Sequence, residues 1–76
     1  MFIRLDVARL SREQMLQMIK DYDVLEQTGA ATECELRAFA RDIRKSSGQG
    51  NSSIGIATLM RDIVFEIYRR LAKENI

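Results

Sequence analysis

The sequence predicts an all-α fold: a small three-helix bundle with a short extended N-terminal arm, completed by oligomerisation. Apolar residues recur at spacings of three and four along three separate stretches, two of those stretches open on a capping pattern, and none of the 76 residues is proline. A chain of this size hides only about 60% of the surface its unfolded form exposes, so its core is marginal without reinforcement. The single cysteine cannot form an internal disulfide, and with no histidine a tetrahedral zinc site lacks its usual ligands. Self-association is the remaining supplement, within one domain spanning 1–76.

Residues 1–10 are the predicted arm. In FIRLDV, Ile3, Leu5 and Val7 alternate with Phe2, Arg4 and Asp6, the period of two expected of a half-buried strand. No second strand pattern follows, so the segment pairs with another copy or another protein, or lies extended across the helices.

The first predicted helix spans 12–28. Ser11 and Gln14 form a capping box, Leu10 and Met15 are placed for a hydrophobic staple, and Glu13 lies at the favoured acidic end. Met15, Met18, Ile19, Tyr22 and Leu25 make its apolar stripe, with Leu16 and Val24 widening it, and Thr28 and Gly29 supply a stop. Asp21, Asp23 and Glu26 crowd the last turns, where the helix dipole disfavours negative charge, so that end frays or holds a basic partner.

The second predicted helix, 33–45, follows a capping pattern between Thr32 and Glu35. Leu36, Phe39, Ala40 and Ile43 form its apolar face, beside a basic stripe of Arg37, Arg41, Arg44 and Lys45. A Gly/Ser connector at 46–52 leads to the third helix, 53–74. Its stripe is Ile56, Leu59, Met60, Ile63, Ile67 and Leu71, broadened by Val64, Phe65 and Tyr68, a width suited to the middle of a bundle or to a second subunit. Glu66 and Arg70 are spaced for an i,i+4 pair, and Arg69, Arg70 and Lys73 complement the C-terminal dipole.

Composition narrows the function. Without histidine the most versatile general acid–base group is missing, so no enzymatic role, cofactor or metal is expected. Cys34 lies near the start of the second helix, but Glu33 and Glu35 flank it and favour the neutral thiol, so it reads as a small semi-buried side chain. Met15, Met18 and Met60 either fill the core or line an adaptable groove. Cysteine usage and an N-terminus without an apolar signal core predict a cytoplasmic protein, and no apolar run is long enough for a membrane span.

These observations predict a small cytoplasmic regulator or inhibitor acting by protein–protein interaction, a homodimer or higher oligomer that binds a larger protein through Arg37, Arg41, Arg44 and Lys45. The order of FIRLDV, a helix from Ser11, the turn TGAAT and a helix from Glu33 also resembles the ribbon-helix-helix family of dimeric DNA-binding repressors over residues 2–45. That resemblance implies paired N-terminal strands in the major groove with Phe2, Arg4 and Asp6 facing outward, and a nucleic-acid surface of Arg4, Arg37 and Arg41. Asp6, Glu33 and Glu35 depart from the pattern, as does the long third helix, and a net charge of +1 is low for a phosphate binder.

A third reading places an anion at the helix start after the connector, held by Arg44, Lys45, Ser52 and Ser53. Gly50 and Gly55 have the first spacing of a P-loop, but Ile56 and Ala57 stand where its lysine and hydroxyl residue belong. The connector therefore reads as a hinge whose Asn51, Ser52 and Ser53 compete to cap the third helix.

Overall fold

The computed structural model describes residues 3–29, 32–46 and 55–74. They form four helices: α1, Ile3–Val7; α2, Arg12–Thr28; α3, Glu35–Ser46; and α4, Ile56–Glu74. Helix α4 packs against all three others, and α2 also packs against α3. The shortest Cα extent of the molecule is 15 Å. Two helices in contact have that depth, with about 10 Å between axes and a Cα radius of about 2.3 Å on each side. In a two-layer arrangement even the central helix keeps a face in solvent.

The arm is corrected. Residues Ile3–Val7 are helical, not extended, and the turn continues as Ala8 N–H donates to the Arg4 carbonyl at 3.0 Å and Leu10 N–H to the Val7 carbonyl at 3.0 Å. Ile3, Val7 and Leu10 are spaced four and three apart, so one helical face carries all three inward; Val7 is 1% exposed. Leu5, which a strand would have buried beside them, is 61% exposed. A helix satisfies its own backbone, whereas a lone strand needs a partner. The paired strands of a ribbon-helix-helix dimer are therefore absent over residues 3–7, and Phe2 lies outside the described residues.

Helix α2 begins and ends at the predicted residues. Ser11 N–H donates to Gln14 Oε1 at 2.8 Å while Gln14 N–H donates to Ser11 Oγ at 3.1 Å, so the capping box closes in both directions. Leu10 and Met15 are both buried, as a staple requires. Gly29 ends the helix at φ 106°, donating to the Leu25 carbonyl at 2.8 Å, a left-handed backbone that disfavours any side chain. Met15, Met18 and Leu25 are buried and Ile19 and Tyr22 half-buried, but Leu16 and Val24 do not widen the buried stripe and stand in solvent.

Helix α3 starts at Glu35, two residues later than predicted, because its cap is not local. Thr32 Oγ1 is engaged with Thr28 Oγ1 at 3.0 Å, and the Cys34 carbonyl receives the first helical bond, from Ala38 N–H at 3.1 Å. The Leu36 N–H donates instead to Asp21 Oδ2 on α2 at 3.2 Å, while Gln17 Nε2 holds Asp21 Oδ1 at 3.0 Å. The acidic end of α2 thus meets the positive end of the α3 dipole. Asp21→Ala is expected to lower stability by about 1 kcal/mol in urea unfolding followed by circular dichroism, with Asp21→Asn losing less because an amide oxygen still accepts. No measurable loss in the alanine variant would show that the bond contributes nothing.

The core joins Leu36, Ala40 and Ile43 of α3 to Leu59, Met60, Ile63, Val64 and Ile67 of α4, and to Met15, Met18 and Leu25 of α2. No polar or charged residue is buried among the described residues. The Gly55 carbonyl accepts the first bond of α4 from Leu59 N–H at 3.1 Å. Ser46, assigned to the connector, closes α3, and the rest of the connector with the capping positions Asn51, Ser52 and Ser53 lies outside the described residues.

Candidate functional site

The basic stripe of α3 carries most of the predicted partner contacts, and its own N-terminal flank partly neutralises it. Glu33 accepts a two-pronged bond from Arg41, 2.9 Å from Nη1 and 2.7 Å from Nη2, and lies 3.4 Å from Arg37 Nε. One exposed carboxylate therefore serves two guanidiniums, Arg41 as a parallel fork and Arg37 through a single nitrogen, an arrangement worth about 1 kcal/mol or less at the surface. Arg44 is half-buried and Lys45 exposed. The anion seat proposed from Arg44, Lys45, Ser52 and Ser53 has its two serines outside the described residues.

A second surface was misjudged from the sequence. Phe65 and Tyr68, expected to broaden the buried stripe of α4, are 59% and 52% exposed. Residues 61, 65, 68, 69 and 72 fall within about a third of a helical turn of one another, so Arg61, Phe65, Tyr68, Arg69 and Ala72 share one solvent face. Two aromatic rings thus lie between two arginines. Among the described residues Arg61 and Arg69 have loose local partners, Asp62 at 3.9 Å and Glu66 at 3.5 Å.

A third feature follows from the helical arm. Helix α1 lies against the C-terminal half of α4, and Arg70 fastens it there: Nη1 donates to the Val7 carbonyl at 2.6 Å and to the Leu10 carbonyl at 3.0 Å. These are carbonyls at the open C-terminal end of α1, where a cation is favoured by the dipole. The predicted Glu66–Arg70 pair is not formed. Glu66 pairs with Arg69, and Arg70 Nε lies 3.4 Å from Glu74. Beside this clamp a cleft of about 230 Å³ opens between the two helices. Arg4 and Val7 of α1 and Ala8 of the following turn line one side, and Arg69, Arg70 and Lys73 of α4 the other.

No known protein family, curated protein or solved structure matches this chain. The site is therefore argued from its own geometry. Cys34 is half-buried against the core, as expected for a structural thiol. Among the described residues no three His, Cys, Asp or Glu side chains group as a metal site, and no helix is long and apolar enough to cross a membrane. Of the residues assigned to a nucleic-acid surface, Arg4 lines the cleft while Arg37 and Arg41 flank Glu33 on α3. The cleft itself was missed. In the sequence Arg69, Arg70 and Lys73 complement the C-terminal dipole and Arg70 is also spaced to pair with Glu66; recognising Ile3, Val7 and Leu10 as a helical stripe is what places Arg4 opposite them.

Proposed function

We propose that this chain is a non-enzymatic interaction module, a small regulatory or inhibitory cytoplasmic protein that acts by binding another protein and pairs with itself. The carrying observation is the solvent face of α4, where Phe65 and Tyr68 stand more than half exposed between Arg61 and Arg69. Aromatic and arginine side chains are the types that dominate binding energy at protein interfaces. Covering the exposed half of each ring is worth about 1 kcal/mol by area, before the gain from specific ring geometry. Arg37, Arg41, Arg44 and Lys45 on α3 add a charged border that favours an acidic contact, in competition with Glu33 for the first two.

Photo-crosslinking tests this reading. With p-benzoylphenylalanine in place of Phe65, irradiation of intact host cells is expected to give one dominant adduct, to a second copy of the chain or to one other protein. The same group at the exposed Gln27 of α2 serves as control. Adducts that are absent, or equally abundant and diffuse at both positions, would remove the proposal. Pairing is checked separately by sedimentation equilibrium, where a Phe65→Ser, Tyr68→Ser double variant is expected to stay monomeric while the parent chain dimerises.

A further inference from the structure

We propose that the cleft between α1 and α4 is a binding site for a phosphate monoester. Its lining sets four cationic side chains, Arg4, Arg69, Arg70 and Lys73, against the single carboxylate of Glu66. The whole chain carries a formal charge of only +1, so this is a local concentration of positive charge and not a generally basic surface.

The donors divide into spent and unspent. Arg70 Nη1 is committed to the Val7 and Leu10 carbonyls, and one Arg69 nitrogen, Nη1, lies 3.5 Å from Glu66. Arg4 and Lys73 have no side-chain hydrogen bond or ion pair among the described residues, and they approach the cleft from opposite helices. A guanidinium fork and an ammonium on two sides of one opening match a dianion that accepts from both, as a phosphate monoester does at neutral pH. A carboxylate would neutralise only one of them.

Size and lining define the rest of the ligand. A volume of 230 Å³ lies below the roughly 300–1,000 Å³ typical of sites for drug-sized molecules, so the cleft takes a phosphate with a small body. Val7, Ala8 and the methylene stems of the arginines and Lys73 supply apolar contact for that body. The phosphate could belong to a soluble metabolite or to a lipid headgroup, which present the same chemistry to Arg4 and Lys73.

The test uses the intact chain with phenyl phosphate, followed by backbone amide NMR shifts. Saturable shifts confined to α1 and the C-terminal half of α4 are expected with a Kd on the order of 1 mM or tighter. An Arg4→Ala, Lys73→Ala double variant, folded by circular dichroism, should bind at least about tenfold more weakly, while Arg41→Ala binds as the parent does. Both substituted residues are exposed and outside the core, and Phe65 and Tyr68 remain in place, so this outcome is independent of the aromatic face. Co-sedimentation with phosphatidylcholine vesicles containing phosphatidic acid distinguishes the sources: dependence on Arg4 and Lys73 there assigns the headgroup, and phenyl phosphate binding alone assigns a soluble ligand. Binding in neither arm, binding undiminished in the double variant, or equal shifts with benzoate would overturn the proposal.

Discussion

Ile63→Ala is expected to cost about 3 kcal/mol or more of folding stability, between about a quarter and three-quarters of the whole. Ile63 is 0% exposed on the helix that packs against every other helix, so the removed carbons leave a void inside the core. Large-to-small substitutions at such sites cost about 2–5 kcal/mol, because lost transfer energy and residual cavity add. For 76 residues the total stability expected from about 0.05–0.15 kcal/mol per residue is only about 4–11 kcal/mol. The methionines Met15, Met18 and Met60 can shift into part of the void, which sets the cost toward the middle of that range. Urea unfolding with and without the substitution measures it, and a loss below about 1 kcal/mol would show that this core relaxes freely. Ile63→Val, one methylene smaller, should lose about 1 kcal/mol.

Arg70→Met is expected to lower stability by about 2 kcal/mol and to release α1 before the rest of the molecule opens. The methionine keeps the apolar stem but leaves the Val7 and Leu10 carbonyls without the guanidinium, and hydrogen bonds to charged groups are worth about 1.5–3 kcal/mol. Arg70 is about one-third exposed, so water takes up part of the loss. Amide exchange should show early loss of protection at Ala8 and Leu10, whose N–H groups close the turn after α1, with α2–α4 still protected. Arg70→Lys should restore part of the effect, since one ammonium reaches a carbonyl but lacks the fork. Uniform loss of protection across all helices would show that α1 is not a separable unit.

The sequence was legible where a signal is local and repeated. Ser11 with Gln14 marked the start of α2 to the residue, and Leu36, Phe39, Ala40 and Ile43 marked the inner face of α3, because caps and stripes are written within one or two turns. The arm failed for a reason of length. Over five residues Ile3 and Val7 fit a period of two and a spacing of four equally well, and only Leu10, beyond the segment, favours the helix.

The start of α3 and the role of Arg70 were illegible in another way. Asp21 caps an amide 15 residues later, and Arg70 reaches carbonyls 63 and 60 residues earlier, so their partners are set by packing and not by neighbours in the chain. Of the residues expected to broaden the α4 stripe, Val64 is buried but Phe65 and Tyr68 are not. Phe65 and Tyr68 had no fourth surface to pack on in a molecule two helices deep. For the candidate site, the α3 arginines were visible as a stripe, whereas the α1–α4 cleft depends on docking that no spacing rule contains.

The Arg70 clamp also orders events in time. During synthesis α1 leaves the ribosome before the other three helices, yet its anchoring guanidinium follows 63 residues behind Val7. At about 5–20 residues per second, α1 waits several seconds with Val7 and Leu10 uncovered before α4 exists to receive them. Helices α2 and α3 can close on each other in that interval through the Asp21–Leu36 bond, but the arm cannot. Of the four helices the first made is thus the last to dock, which leaves its apolar face open to chaperones, or to a neighbouring nascent chain, until α4 emerges.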